Sequence, residues 1–423
     1  MPQLRVLIVG ASIAGTSAAY WFRRTGAHVT VIERFPSFRR TGQNVDIRTV
    51  GVEVMRQMPG MEAAVRAAST TMDSISFVDT HNRSFGAIAA TGDPDQQSLV
   101  SEYEIFRGTL AGIIHGYTAH DDGVRYVFGE QVAAMTPRGD GGHGPVLVEF
   151  ANGRPAEEFD LVVACDGATS RTRALGLGCG VRDHIVPTNH WAAYFDIDKD
   201  LLAGSKVGLS YSAPGGRMIC LGPDPDGSGC KGVLLSIAAS STADLGGAFR
   251  AAQKDDATLR AFVADRYRGA GWRTDEILDR MMTSKAFYAS EMVKVQTERL
   301  SRGSWFALVG DAGYAAPSGA GTTLAMAGAY VLAGEVGRHA PDDVAAALAA
   351  YEDMMRPLVG EMQKVSPLFW SVMAPQTAWG IALRNRLFQF VCWTGVLDVV
   401  QKLFAGAFSS SEKHVLPEYE WVN

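Results

Sequence analysis

The sequence predicts an α/β protein in which a Rossmann-like dinucleotide-binding domain is interleaved with a β-sheet domain and followed by C-terminal helices. Three observations predict it. The chain opens on an apolar strand, a glycine-containing turn and a helix, and the next strand ends in an acid. Glycine-bearing turns after short apolar strands return at Asp166-Gly167 and again at Gly310-Asp311. Between those returns, from about residue 181 to 239, the pattern changes to longer strands separated by Gly/Pro turns.

The first element is Leu4-Arg5-Val6-Leu7-Ile8-Val9-Gly10, a continuous apolar strand of the kind buried on both faces of a parallel sheet. Ala11 and Ser12 turn the chain into a helix from about Ile13 to Thr25, and Gly26 stops it in the usual C-terminal position. Ala27 to Glu33 is the second strand. The spacing Gly10-x-Ser12-x-x-Gly15 departs from G-x-G-x-x-G only in its middle residue, a small one. Such a turn presents free N–H groups and the positive helix end to a pyrophosphate. Glu33, at the end of the second strand, suits a ribose diol, and an acid there disfavours a ribose 2′-phosphate. The competing reading is an ordinary α/β turn with a solvated glutamate.

Residues 34 to 50 read as a polar, arginine-rich loop, and Val50 to Met58 as a helix stopped by Pro59-Gly60. Residues 71 to 90 alternate as strands do. Ser101 to His115 has helical apolar spacing, which makes Arg107 a surface arginine when taken alone. Val124 to Phe128, Gln131 to Thr136 and Val146 to Phe150 read as a three-stranded meander, with Gly139-Asp140-Gly141-Gly142 turning into the last strand. Leu161 to Ala164 is a short strand that ends at Asp166-Gly167, a pair that reads equally as a plain turn.

In the β-rich region the expected strands are Trp191 to Ile197, Val207 to Tyr211, Arg217 to Leu221 and Gly232 to Ala238. Two helices follow, ending near Met282. The dinucleotide pattern then resumes at Trp305 to Gly310, with helices from Ala325 onward and from Asp342 to Met362, and a mostly helical tail beyond Leu368. The resulting division is 1–75, 95–180 and 285–367 for the dinucleotide-binding domain, 76–94 and 181–284 for the β-rich domain, and 368–423 for the C-terminal helices.

Composition narrows the function classes. A net charge of −6, with no basic run longer than a pair, gives no reason to expect nucleic acid. The five cysteines are odd in number and irregularly spaced, which suggests free thiols in a reducing, cytoplasmic compartment; the scattered histidines suggest no metal site. The uncharged stretch from Ala312 to Gly334 contains Pro317 and several glycines, and Leu387 to Leu397 is too short, so no membrane-spanning segment is expected. No second nicotinamide-type domain and no Ser-His-Asp set is visible.

Taken together, the motifs resemble the class A flavoprotein monooxygenases, whose fold is that of para-hydroxybenzoate hydroxylase. Within that group the chain most resembles the tetracycline destructases and polyketide hydroxylases. The resemblance rests on Gly42-Gln43-Asn44-Val45-Asp46-Ile47-Arg48, Glu104-Ile105-Phe106-Arg107-Gly108, Asp166-Gly167-x-x-Ser170-x-x-Arg173, Gly310-Asp311-Ala312-Gly313-Tyr314-x-x-Pro317 and the late Leu416-Pro417-Glu418-Tyr419.

It implies non-covalent FAD, NAD(P)H as transient reductant, and O₂ activated as a flavin C4a-hydroperoxide that an electron-rich phenol or enol attacks. The flavin then carries the chemistry and no catalytic side chain is named. Gly10, Ser12, Ala14 and Gly15 would form the pyrophosphate turn. Glu33 would hold the adenosine ribose, flanked by Arg34, and Val132 would meet adenine through its backbone. Arg107 would bind the dinucleotide linker, Asp311 the ribityl chain, and Gly321 and Thr322 the isoalloxazine. Asp46 would lie near the flavin, and the Asp166 motif belongs to the same cofactor site. Arg39 falls where a relative contacts NADPH, with Arg40 as a neighbour. Tyr194, Arg217 and Pro317 fall at the substrate, a small aromatic or polyketide molecule. Gly319-Ala320-Gly321-Thr322-Thr323 departs from the family's usual Gly-Gln-Gly-Asn-Asn run. The alternatives are a halogenase, which would want a W-x-W-x-I segment absent here, a non-oxygenating reductase of prenyl or polyketide chains, and a flavin-fold binding protein.

Overall fold

The computed structural model describes the chain except residues 1–2, 40–41, 71, 94–96, 99, 140–143, 239–243, 318, 340–342, 365–366, 395–414 and 423. Arg40, Asp140 to Gly142 of the expected turn, and the end of the Leu387 to Leu397 stretch lie outside the described residues.

The opening βαβ unit forms as its pattern requires: β1 (Arg5–Val9), α1 (Ile13–Arg24) and β2 (His28–Glu33), with Gly26 left-handed at φ 84° after the helix. Then come β3 (Asn44–Asp46), α2 (Val50–Arg56), α3 (Met61–Ala68), the hairpin β4 (Ser74–Val78) and β5 (Ser84–Ala89), and β6 (Glu104–Phe106) leading into α4 (Arg107–Gly116). β7 (Val124–Phe128), β8 (Val132–Pro137), β9 (Val146–Phe150), β10 (Glu157–Phe159), β11 (Leu161–Ala164) and α5 (Arg171–Leu177) complete the first half. The second half holds β12 (Ile185–Ile197), β13 (Val207–Ala213), β14 (Arg217–Pro223), β15 (Cys230–Ile237), α6 (Leu245–Ala252), α7 (Asp256–Tyr267), α8 (Thr274–Thr283) and β16 (Tyr288–Val295). β17 (Ser301–Arg302), β18 (Phe306–Leu308), α9 (Asp311–Tyr314), α10 (Gly321–His339), α11 (Val344–Met362), α12 (Pro367–Met373) and α13 (Ala378–Trp393) follow.

The first sheet has the order β17-β18-β11-β1-β2-β7, parallel except at β17. Its central strands are apolar throughout because both faces are covered. Val6 and Ile8 face the core shared with α1, α4, α10 and α11, whereas Leu7 and Val9 face a second core with Val146, Val148, Phe150 and Phe159. That second cover is a three-stranded sheet, β10-β9-β8. The expected meander is therefore shifted. Val124–Phe128 pairs with β2 in parallel, as the return strand of a crossover through α4, and Glu157–Phe159 takes its place in the small sheet.

Helix α10 is buried from Thr322 to Val336. A helix apolar on all sides is a central one; α10 packs on α1, where Trp21 meets Tyr330 edge-on at 4.9 Å. Among the described residues no helix is long and apolar enough to cross a membrane. The tail crosses the same two helices. Tyr330 donates to the Pro417 carbonyl at 2.7 Å, Tyr419 to Glu335 at 2.8 Å, and the Val422 N–H to the Arg24 carbonyl at 2.8 Å.

The second sheet has the order β16-β12-β15-β14-β13-β4-β5. The β4–β5 hairpin joins it although it ends at Ala89 and the sheet's next strand begins only at Ile185, which is the interleaving the motif order implied. One face packs on α6, α7 and α8, three helices where two were expected, through Trp191, Ala193, Phe195, Ile219, Leu221 and Leu234. β12 begins earlier than expected, at Ile185, with an irregularity at Asn189 (φ 61°). The expected helix from Ser101 is broken. Glu104–Phe106 is extended because it pairs with Asn44–Asp46, and the helix starts at Arg107.

Candidate functional site

Glycine contacts bring the three turn motifs together. Gly10 sits at φ 106°, and a Cβ there would lie 2.6 Å from the Cys165 carbonyl oxygen, so the first turn packs against the strand end that carries Asp166. A Cβ on Gly15 would overlap the Gly10 carbonyl oxygen, which is why the helix can start so close beneath the turn. A Cβ on Gly310, at φ 66°, would lie 2.9 Å from Cβ of Ala14. The first and third motifs thus touch through Ala14 and Gly310.

Ser12 is the N-cap of α1, yet its side chain makes no capping hydrogen bond and lines the adjoining cleft. Glu33 accepts from the Ala11 N–H at 2.9 Å through Oε2 and from the Phe35 N–H at 3.1 Å through Oε1. The backbone before Val132 runs beside it, because Glu130 N–H donates to the Glu33 carbonyl and Gly129 N–H to that of Phe35. Val132 itself is half-buried at the start of β8.

The cleft has a volume of about 430 Å³ and is lined from both halves of the molecule. Ala11, Ser12, Glu33, Arg39 and Arg107 come from the dinucleotide side, and Tyr194, Lys231, Lys285 and Tyr288 from the second sheet. Arg107 is placed by its backbone N–H, which donates to Gln43 at 2.9 Å, and by Gly42, where a Cβ would lie 3.1 Å from Cβ of Arg107. Asp311 opens α9. Its side chain is exposed, while surrounding protein pushes its pKa up and Arg107 pulls it down. A Cβ on Gly321 would lie 3.4 Å from Asp311 Oδ1, so the start of α10 is beside it.

Thr323 is a residue the motif reading missed. Its hydroxyl accepts from the Arg48 N–H at 3.1 Å and donates to the Arg48 carbonyl at 3.0 Å. The Thr323 hydroxyl that stands in the family's amide position therefore ties the start of α10 to the segment after β3. Asp46 is paired with Arg48 at 2.8 Å, and it stands opposite Glu104 in the β3–β6 register. Burial, and then Asp46, raises the Glu104 pKa to about 7.

The structure gives Asp166 a local task. Both its oxygens are engaged within the motif, Oδ1 by the Ser170 hydroxyl and Oδ2 by the Thr172 N–H and hydroxyl. The fully buried Arg173 links this motif to the third one, donating to the carbonyls of Ala312 at 2.7 Å, Ala168 at 3.0 Å and Val181 at 2.7 Å.

The expected partnership of Tyr194 and Arg217 is also corrected. Tyr194 shares the face of His190 and Ala192, turned away from the helices, and stacks on Tyr288 with centroids 6.4 Å apart. Burial pushes its phenol up to about 12. Arg217 lies on the opposite face with Ile219 and Leu221. Its guanidinium donates to the carbonyls of Pro214, Arg266 and Arg268, closing the end of α7. Pro317 lies half-buried in the turn between α9 and α10, outside the cleft lining. Arg34 is exposed, its guanidinium 4.9 Å from the Phe35 ring centroid.

The family described as "FAD binding domain" matches residues 3–364. The FAD-dependent monooxygenase asL4 of Sarocladium schorii is 31% identical over 92% of this chain and 93% of its own. The flavin-dependent monooxygenase eupH of a Phoma species is 30% identical over 90% of each. Among solved structures, tetracycline destructase Tet(51) superposes with a TM-score of 0.75 at 26% identity, covering 99% of this chain and 100% of that one. Klebsiella pneumoniae HpxO, solved with FAD and uric acid, shares the fold with a TM-score of 0.70 at 20% identity, covering 96% of this chain and 97% of its own.

Proposed function

The chain belongs to the FAD binding domain family and is an FAD-dependent monooxygenase, and we propose that it uses NAD(P)H and O₂ to insert one oxygen atom into a phenolic or enolic, polycyclic, polyketide-like substrate. The observation that carries the reading is that Tyr194 of the second sheet lines the same cleft as Ser12, Glu33 and Arg107 of the dinucleotide half. A flavin laid from that turn towards Asp311 and Gly321 has the face of the sheet turned away from the helices as its opposite wall. When bound, FAD supplies the electron store and the activation of oxygen.

The chain's own residues bind and orient. Gly10, Ser12, Ala14 and Gly15 offer the helix start to the pyrophosphate. Glu33 accepts from the ribose diol beside Arg34, and the Val132 backbone faces adenine. Arg107 holds the linker, Asp311 accepts from the ribityl hydroxyls, and the amides of Gly321 and Thr322 face the flavin's polar edge, with Asp46 holding Arg48 nearby. The wall beyond is mostly apolar: Val233 and Leu235 on β15 share a face with Met218 and Cys220 on β14. Such a wall keeps water from the reacting centre. Tyr194, a neutral phenol, donates a hydrogen bond to a substrate oxygen, and Pro317 bounds the chamber. The test is NAD(P)H consumption with product mass across a panel of phenolic polyketides and tetracyclines. Substrate-stimulated consumption with a product one oxygen heavier supports the reading. Consumption that no phenol or enol stimulates would contradict it.

A further inference from the structure

Helix α13 is apolar on two opposite faces, yet protein covers only one of them. The inner face is held by Phe388, which meets Phe77 edge-on at 5.1 Å; the missing side chain of Gly86 leaves room for its ring and for the Cys392 sulfur. Arg384 is turned inward and donates to the Met373 carbonyl at 3.0 Å, which ties α13 to the end of α12. α12 in turn packs through Trp370, Met373 and Ala374 on Met218 and Ile237 of the second sheet. The helix is fixed by these contacts, and its outer face with it. That face carries Trp379, Leu383, Leu387, Phe390 and Trp393, all exposed, the two tryptophans by 75% and 81%. At 3.6 residues per turn the five span about 120° of the circumference, and at 1.5 Å per residue the tryptophans stand about 21 Å apart along the axis. A contiguous exposed apolar stripe of this kind marks an interaction surface.

Charge selects what covers it. Between Lys364 and Asp398 the sequence holds Arg384 and Arg386 and no acid, in a chain whose net charge is −6. Arg386 is exposed within the stripe. It stands midway between Trp379 and Trp393, so a two-fold pairing of stripe on stripe would set each guanidinium against its own copy, where like charges repel. A bilayer surface has the opposite character. Tryptophan rings suit the headgroup level, leucine and phenylalanine reach the acyl boundary, and an arginine stem lies along the apolar layer with its head at the phosphates. At 16 residues the helix is too short to cross a bilayer and long enough to lie in its surface.

We propose that the outer face of α13 docks the protein on an anionic lipid surface, with the helix lying in the headgroup plane. The docking does not depend on the substrate assignment above. The test is sedimentation of the FAD-loaded full chain with phosphatidylcholine vesicles, with and without phosphatidylglycerol. Wild type, Trp379→Gln, Leu387→Glu and Arg386→Ala are compared, with FAD content and circular dichroism measured in each. The wild type is expected to bind the vesicles that contain phosphatidylglycerol, to bind phosphatidylcholine alone more weakly, and to be released in part by salt. Trp379→Gln and Leu387→Glu are each expected to weaken binding about tenfold, and Arg386→Ala about fivefold on the anionic vesicles only, all with FAD content retained. If Leu387→Glu does not fold, Trp379→Gln carries the test alone. No binding by the wild type, equal binding to the two vesicle types, or binding that the folded stripe variants leave unchanged overturns the inference. Sedimentation velocity without lipid examines the other occupant: a wild-type dimer that Trp379→Gln or folded Leu387→Glu converts to monomer would assign the stripe to a second copy of the chain and overturn it as well.

Discussion

The carboxylate of Glu33 accepts a hydrogen bond from the backbone N–H of Ala11 at 2.9 Å, so the acid at the end of the second strand is joined to the turn at the end of the first. It both shapes the turn and retains lone pairs for sugar hydroxyls. Glu33→Ala should therefore purify with little FAD, and Glu33→Gln, which keeps one acceptor oxygen, with an intermediate amount. A hydrogen bond to a charged group contributes about 1.5–3 kcal/mol. The check is flavin absorbance relative to protein, with circular dichroism to confirm folding. Full occupancy in folded Glu33→Ala would rule out the ribose role.

A second prediction concerns Gly15. Glycine to alanine inside a helix ordinarily stabilises by about 0.8–1 kcal/mol. Here the added Cβ would overlap the Gly10 carbonyl, so the sign reverses. Gly15→Ala should lower the melting temperature, in line with an overpacking cost of about 1–3 kcal/mol. A higher melting temperature would show that the turn is not packed as described.

Glu104 makes stability depend on pH. Its folded pKa of about 7 stands above its ordinary 4.5, chiefly through burial and then through Asp46. The folded state therefore holds the proton more tightly than the unfolded chain. The contribution from Glu104 is fully present below its ordinary value and is lost as pH rises through about 7. Glu104→Gln keeps an oxygen for the Asn44 and Thr70 donors and removes the charge. Thermal melts between pH 5 and 8 should fall with pH in the wild type and flatten in Glu104→Gln. Parallel curves would dismiss the account of this carboxyl.

Arg173 should behave as a structural bridge. Arg173→Met would leave the buried carbonyl of Ala312 and the part-buried carbonyls of Ala168 and Val181 without their donor. Each unsatisfied buried group costs about 1–3 kcal/mol. The variant should unfold at markedly lower denaturant than the wild type. Little change in the denaturation midpoint would mean that other donors replace it.

What could be read in the sequence, and what could not, follows the range of the interactions. The turn at Gly10 to Gly15 and the acid Glu33 belong to one local strand-turn-helix pattern, and the pattern alone predicted their proximity. Glu104–Phe106 has helical spacing but is extended, because its partner Asn44–Asp46 lies some sixty residues away in the chain. β7 and β16 were misplaced or missed for the same reason. Arg217 shows the limit at side-chain level: successive strand residues face opposite sides, so a match by pattern that is one residue out reverses the face. Thr323 stood out only as part of the run from Gly319 that departs from the family pattern; its role appears only when Arg48 is brought against it.

The central claim is that this flavoenzyme transfers one atom of O₂ to a phenol or enol seated against Tyr194. Turnover under ¹⁸O₂, with NADPH and a substrate that stimulates its consumption, tests this most directly. The account predicts a product carrying one ¹⁸O atom. A product with no label, or with oxygen taken only from labelled water, would contradict it and favour a reductase.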